Sequence, residues 1–420
     1  MPTKKQLSAI SLALAAVAVG LLFVAPAIAQ TGPSVTDEGV ENNFPDGMVF
    51  RMSASSDAVI EDVRLRYKVL PDGTAANGVP DFDPATTVHT EFILGGTDVY
   101  LPPGTVVEYH WEVTDASGAT AETAEQTFFF DDVRFEWQTV EGENVTIYYY
   151  SGSEGDAQDM HAVALESLAE MTALVDIVEI PFPVQVWIYD STDDMRDALQ
   201  RRSESYESQV ITAGVRVATN TVLVLGNASF DTLRHELTHV VTAEAGESAL
   251  GTLPAWLDEG TAVYGQDDPG GFKSAVDRAI DRGNVLSVRE ISAYPGDPEK
   301  VGLFYGQGWS LVSYLVDTYG EPKFGNLFAI IKAGNRIDDA LETVYGFDQD
   351  GLEDEWREAN DLPPRETPEP APQDSDAPSS ASQDDDDGGS DIATILIIAL
   401  VILALAGGIA ALGITIARRL

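Results

Sequence analysis

Over residues 34–130 apolar and polar positions alternate with a period of two. Val63, Leu65, Tyr67 and Val69 stand against Arg64, Arg66 and Lys68, and Val107, Tyr109, Trp111 and Val113 stand against Glu108, His110 and Glu112. Successive side chains of a strand point to opposite faces, so this is the pattern of half-buried strands. Turn signals at Pro71-Asp72-Gly73, Pro102-Pro103-Gly104 and Ala116-Ser117-Gly118 divide the region into about six or seven short strands.

That spacing predicts an all-β sandwich, immunoglobulin- or fibronectin-like, over residues 34–132. From Val133 the pattern changes to strands alternating with helices, which predicts a separate α+β domain over residues 133–361. Residues 146–150 and 184–189 read as strands with an amphipathic helix at 157–174 between them, and 215–217 with 221–225 read as a hairpin. Helical periodicity dominates from Asp231 to about Ala359. In the sandwich, His89 and His110 lie on strands and read as solvent-facing or structural, and His161 reads as a surface residue of the first helix.

The two ends carry a different signal. Residues 1–29 read as a signal peptide, with Lys4 and Lys5, an apolar run to Val24, and Ala27-Ile28-Ala29 as the cleavage site; an uncleaved anchor is the alternative. Residues 392–417 are apolar without interruption and long enough to span a bilayer, and Arg418-Arg419-Leu420 follow as a cytoplasmic tail. Residues 362–391 are rich in Pro, Ser and Asp, carry no apolar face, and read as a disordered, self-repelling stalk. The predicted topology is a single-pass type I membrane protein with the body on the extracytoplasmic side and the lipid bilayer as a partner.

Composition narrows the chemistry. With 69 acidic and 24 basic residues the formal charge is −45, which argues against nucleic acid as a partner. There is no cysteine, so thiolate ligands and nucleophiles are excluded and a metal site must draw on Asp, Glu and five His. Two of those five stand in His235-Glu236-Leu237-Thr238-His239, on a segment whose Leu233, Leu237, Val240 and Val241 form a helical stripe. One turn of helix brings both imidazoles to a single ion, with Glu236 on the adjoining flank as the general base for a water. A catalytic zinc site takes three protein ligands and keeps one position open. Glu259, twenty positions beyond His239 in Leu253-Pro254-Ala255-Trp256-Leu257-Asp258-Glu259-Gly260-Thr261-Ala262, is the candidate third ligand, Pro254 marking the start of a second helix.

This HExxH motif followed by Trp256-Leu-Asp-Glu259-Gly-x-Ala resembles the gluzincin zinc metallopeptidases, in particular the peptidase MA-like domains related to the M1 aminopeptidases. The resemblance implies one Zn2+ per chain on His235, His239 and Glu259, hydrolysis of a peptide or protein substrate with Glu236 as base, and Tyr305 as a donor to the developing oxyanion. Tyr305-Gly306-Gln307-Gly308 stands where the family has Tyr-x-Lys-Gly opening a helix, with Gln in place of Lys. The Gly-x-Met-x-Asn segment that aminopeptidases use for a free amine is missing, and Val263 stands where thermolysin-like enzymes carry an Asp behind the ligands. Asp258, Asp267 and Asp268 are the alternatives for orienting a ligand imidazole. The rival reading is a non-catalytic surface binding or adhesion protein with an inert peptidase-like domain. Oligomeric state is not legible in the chain.

Overall fold

The computed structural model describes residues 32–71, 73, 75–96, 99–200 and 213–365. The predicted signal peptide and membrane-spanning segment, and the stalk from residue 366, lie outside them. Among the described residues no helix is long and apolar enough to cross a membrane.

The N-terminal region is built of eight strands, one more than the upper count expected from turn signals. β1 (Ser34–Asn42), β2 (Met48–Ser55) and β5 (Thr87–Leu94) form one antiparallel sheet. β3 (Ile60–Leu70), β4 (Ala75–Gly78), β6 (Thr105–Asp115), β7 (Thr120–Glu122) and β8 (Gln126–Phe130) form the other. The period of two is realised on β6, where Val107, Tyr109, Trp111 and Val113 are buried and the residues between them are half-exposed. They meet Met48, Phe50 and Met52 of β2 in one core between the two sheets.

The second region opens on β9 (Gln138–Gly142) and β10 (Val145–Tyr149), followed by α1 (Glu154–Leu174) and β11 (Val184–Tyr189). The helix begins three residues before the expected start because Ser153 and Asp156 form a capping box. After α2 (Thr192–Asp197), the hairpin of β12 (Gly214–Ala218) and β13 (Thr221–Leu225) completes a sheet ordered β12-β13-β11-β10-β9. β10, β11 and β13 are parallel, and both outer strands are antiparallel to their neighbours. Helices α3 (Phe230–Gly246), α4 (Ala255–Tyr264), α5 (Gly270–Arg282), α6 (Val301–Tyr319), α7 (Glu321–Lys332), α8 (Ile337–Val344) and α9 (Gln349–Ala359) follow.

Every residue of β11 is buried, which requires cover on both faces. Val184, Val186 and Ile188 pack with the helices, while Trp187 and Tyr189 belong to the core shared with the N-terminal sandwich. The sandwich is therefore the second wall of the sheet that supports the candidate site. Polar contacts lock this junction. Gln185 donates to the carbonyl of Gly104 at 2.9 Å, and the Tyr100 hydroxyl donates to the carbonyl of Ala198 at 2.8 Å. Gly104 has φ +84°, and a Cβ there would lie 2.0 Å from Oε1 of Gln185, so no side chain fits. Asp132, fully buried, accepts from the Tyr189 hydroxyl at 2.9 Å and from Arg134 Nη2 at 2.6 Å. Tyr189→Phe leaves one oxygen of this carboxylate short of a donor, and we expect a loss of about 2 kcal/mol in chemical unfolding.

His89 is exposed on β5, as expected of it. His161 is not: it is half-buried beneath the β9–β10 turn, with Nε2 3.3 Å from the carbonyls of both Gly142 and Val145. Its reach to two backbone oxygens gives it a structural task that the sequence did not disclose.

Candidate metal centre

Ser229 caps α3 by accepting from the Thr232 amide, and the helix packs an almost wholly buried surface against α1, α7 and the sheet. Arg234, immediately before the motif, is pulled to the other side by Glu166 at 2.6 Å and Glu170 at 3.4 Å on α1, and by Asp267 at 3.4 Å. That anchorage sets the rotation of α3 so that His235 and His239 face α4. Their Nε2 atoms are 3.3 Å apart, and Glu259 Oε2 lies 3.2 Å from the first and 3.3 Å from the second. These three donors form the one group of potential metal ligands found among the described residues.

The triangle fits a metal on independent grounds. Four ligands held tetrahedrally at about 2.0–2.1 Å are separated by about 3.3–3.4 Å, the spacing seen here. Glu259 is 4% exposed and its Oε2 has no hydrogen-bond donor, a buried charged atom that needs a cation. The other carboxylate oxygen is satisfied: the Tyr294 hydroxyl donates to Oε1 at 2.7 Å. Although burial opposes ionisation of Glu259, the charge of the flanking imidazoles outweighs it and holds the carboxyl well below the usual range.

Each imidazole is also gripped on its far side. Nδ1 of His239 lies 3.1 Å from Asp258 Oδ1, which in turn accepts from Thr242 at 2.6 Å. Nδ1 of His235 lies 3.0 Å from the Gln266 amide group. Of the three aspartates proposed from the sequence, Asp258 takes the role. Asp267 is paired with Arg234, and Asp268 accepts from the Gly270 amide. A carboxylate such as Asp258 accepts the Nδ1 proton and keeps the metal-facing nitrogen of His239 free, while Gln266 fixes the ring of His235.

Glu236 is buried beside the triad and does not belong to it. Its Oε2 accepts from the backbone amide of Arg216 on β12 at 3.0 Å. Burial raises its pKa above the ordinary value, while the two imidazoles and the Arg216 amide pull the other way. Tyr305 is fully buried, stacked on Phe272 with its ring centroid 6.0 Å from that of His235. It sits in the second turn of α6 and does not open the helix. Gln307, where the related motif has Lys, is buried and clamps Leu286, accepting from its amide at 2.9 Å and donating to its carbonyl at 2.6 Å.

Two contributors had no signal in the chain. Gln266 follows α4 outside any motif, and Tyr294 lies in the segment between α5 and α6. That segment is held by the Gln307 clamp on Leu286, by Glu353 accepting from the Val288 amide at 3.0 Å, and by three aspartates around Arg289. Tyr294→Phe frees Oε1 of Glu259, and zinc affinity measured by competition with a chelating dye is expected to fall about 10- to 100-fold.

A helix-borne His pair, a carboxylate from the following helix and a buried glutamate beside them define a candidate metal-dependent hydrolase centre. Residues 163–360, which contain all of these groups, match the family model described as the Peptidase MA superfamily. The chain carries a Peptidase MA superfamily domain. No curated protein matches the sequence. Among solved structures, aminopeptidase A of Legionella pneumophila in complex with aspartic acid is similar at 10% identity and a TM-score of 0.33. That match covers 73% of this chain, which spans only 46% of the Legionella protein. A bromine derivative of BhCBM56 is similar at 17% identity and a TM-score of 0.17, over 24% of this chain and 95% of that one.

Proposed function

We propose that this protein is a gluzincin-type zinc metallopeptidase, related to the M1 aminopeptidases, that hydrolyses peptide bonds with Glu236 as general base. The observation that carries the reading is the triangle of His235 Nε2, His239 Nε2 and Glu259 Oε2, with 3.2–3.3 Å edges and Glu236 buried alongside. When bound there, zinc supplies Lewis acidity, making water nucleophilic near neutral pH and polarising a carbonyl.

The protein's own groups do the rest. Arg216 N–H holds one oxygen of Glu236, which turns the carboxylate and leaves its other oxygen to take a proton from the attacking water and return it to the leaving amine. Asp258 and Gln266 fix the imidazoles, and Tyr294 fixes Glu259. Tyr305 is assigned as the donor to the oxyanion; burial holds its proton in place, raising its pKa well above the ordinary value. β12 is the outer strand beside Glu236, and an extended peptide adds there as a further strand. That strand reads Gly-Val-Arg-Val-Ala and offers no carboxylate for a free amine, which supports cleavage of internal bonds over aminopeptidase activity.

The sandwich is read as immunoglobulin- or fibronectin-like, and residues 1–29, 362–391 and 392–420 as signal peptide, stalk and type I anchor with tail. This places the catalytic domain on the extracytoplasmic side of the cell membrane. The full chain, purified in detergent, should contain about one zinc per molecule and cleave a mixed peptide library, with chelation abolishing turnover. A zinc-loaded protein that leaves the whole library intact would favour the inert binding protein instead.

A further inference from the structure

β12 turns its side chains alternately to two sides. Val215 and Val217 pack into the core shared with the sandwich, so Gly214 and Arg216, ahead of the register break before Ala218, face α3. Gly214 confirms the direction: a Cβ there would stand 3.0 Å from Cγ of Glu236 and 2.9 Å from Cγ2 of Thr232. The Arg216 side chain therefore leaves the outer strand on the side of the metal centre, at the residue whose amide holds Glu236. It is half-buried, and its charge reaches both Tyr294 and Glu247, opposing the rise that burial imposes on each.

No ion pair is formed by Arg216 among the described residues. Every other described arginine that is at least partly buried has a carboxylate within 4.0 Å, as Arg66 has Glu112, Arg134 has Asp132, Arg234 has Glu166 and Arg357 has Glu353. Among the described residues, a half-buried guanidinium with no carboxylate within 4.0 Å is an exception. Its guanidinium is a planar fork suited to a carboxylate, carried on the side of the strand that faces Glu236.

We propose that Arg216 is a specificity-determining residue that pairs with a carboxylate of the bound peptide, so that the substrate class is peptides with an acidic group close to the scissile bond. The inference rests on the peptidase reading and adds its substrate preference. It runs against the net charge, which by itself favours basic peptides; at contact distance a guanidinium outweighs a diffuse, salt-screened field. The carboxylate has two possible sources, an Asp or Glu side chain and the peptide's C-terminus.

The test uses the full-length zinc-loaded protein and matched peptides around one cleaved bond. The set has Glu, Gln or Lys at each flanking position, and a C-terminal acid or amide. The wild type should favour one Glu position, or the free acid, by about 10- to 100-fold in kcat/KM, as expected for a charge-assisted pair. Which substitution carries the factor identifies the source. Arg216→Ala should bring the ratio toward one, Arg216→Lys should keep part of it, and Arg216→Glu should turn the preference toward Lys peptides. No acid preference in the wild type, or an undiminished one in Arg216→Ala, overturns the inference. Fluorescence anisotropy on the Glu236→Gln protein reads the same ratios as affinities without turnover. Equal affinities there overturn the inference by themselves, whereas an intact Arg216-dependent preference with no cleavage counts against the peptidase reading alone.

Discussion

Glu236→Gln should lower kcat on any cleaved peptide by about 10²–10⁴-fold while zinc content stays at about one per chain. The amide is nearly isosteric with the carboxylate and keeps an oxygen to accept from the Arg216 amide, so the position of the side chain at the edge of β12 is preserved. The lost property is proton acceptance. Glu236 is 3% exposed and its carboxylate lies outside the His235–His239–Glu259 triangle, so metal uptake has no need of its charge. Steady-state kinetics beside metal analysis of the same preparation separate the two effects. Activity within threefold of wild type would remove Glu236 from the mechanism, and loss of the metal would make it a ligand or a structural prop.

An equally severe outcome is expected from the smallest possible change next to the third ligand. Gly260 crosses Gly308 so closely that a Cβ at 260 would lie 2.4 Å from the backbone carbon and oxygen of Gly308. Backbone cannot turn aside as a side chain does, so Gly260→Ala must push α4 and α6 apart. We expect about 3 kcal/mol of destabilisation, near the upper end for an overfilled core. The displaced helices carry Glu259 and Tyr305, so zinc affinity and turnover should fall together. Gly296→Ala is the control, since a Cβ there meets nothing within 4 Å. If Gly260→Ala unfolds at the wild-type temperature and retains its metal, the close crossing is not what places Glu259.

These expectations join the site to the rest of the molecule. The sheet supporting β12 and α3 is covered by helices on one face and by the N-terminal sandwich on the other, through Trp187, Tyr189, Leu223 and Leu225. The sandwich is thus part of the hydrophobic support of the sheet that carries the candidate site, one layer removed from Glu236.

Local rules account for what could be read from the chain. A period of two marked the strands of the sandwich, the helical stripe around His235 and His239 marked α3, and helical spacing alone implied that both imidazoles share a face. Glu259 was reachable because a short connection joins two adjacent helices. The sequence of β11, Val-Gln-Val-Trp-Ile-Tyr, marked a strand, yet not that both its faces are buried or what buries them. Only the tertiary structure could bring in Tyr294 and Gln266, choose Asp258 over Asp267 and Asp268, turn Gln307 into a loop clamp, and set Arg216 beside Glu236. The physical reason is one of range: periodicity and capping act over a few residues, whereas these contacts join positions 19 to 35 apart, and their partners are selected by how whole helices and strands pack.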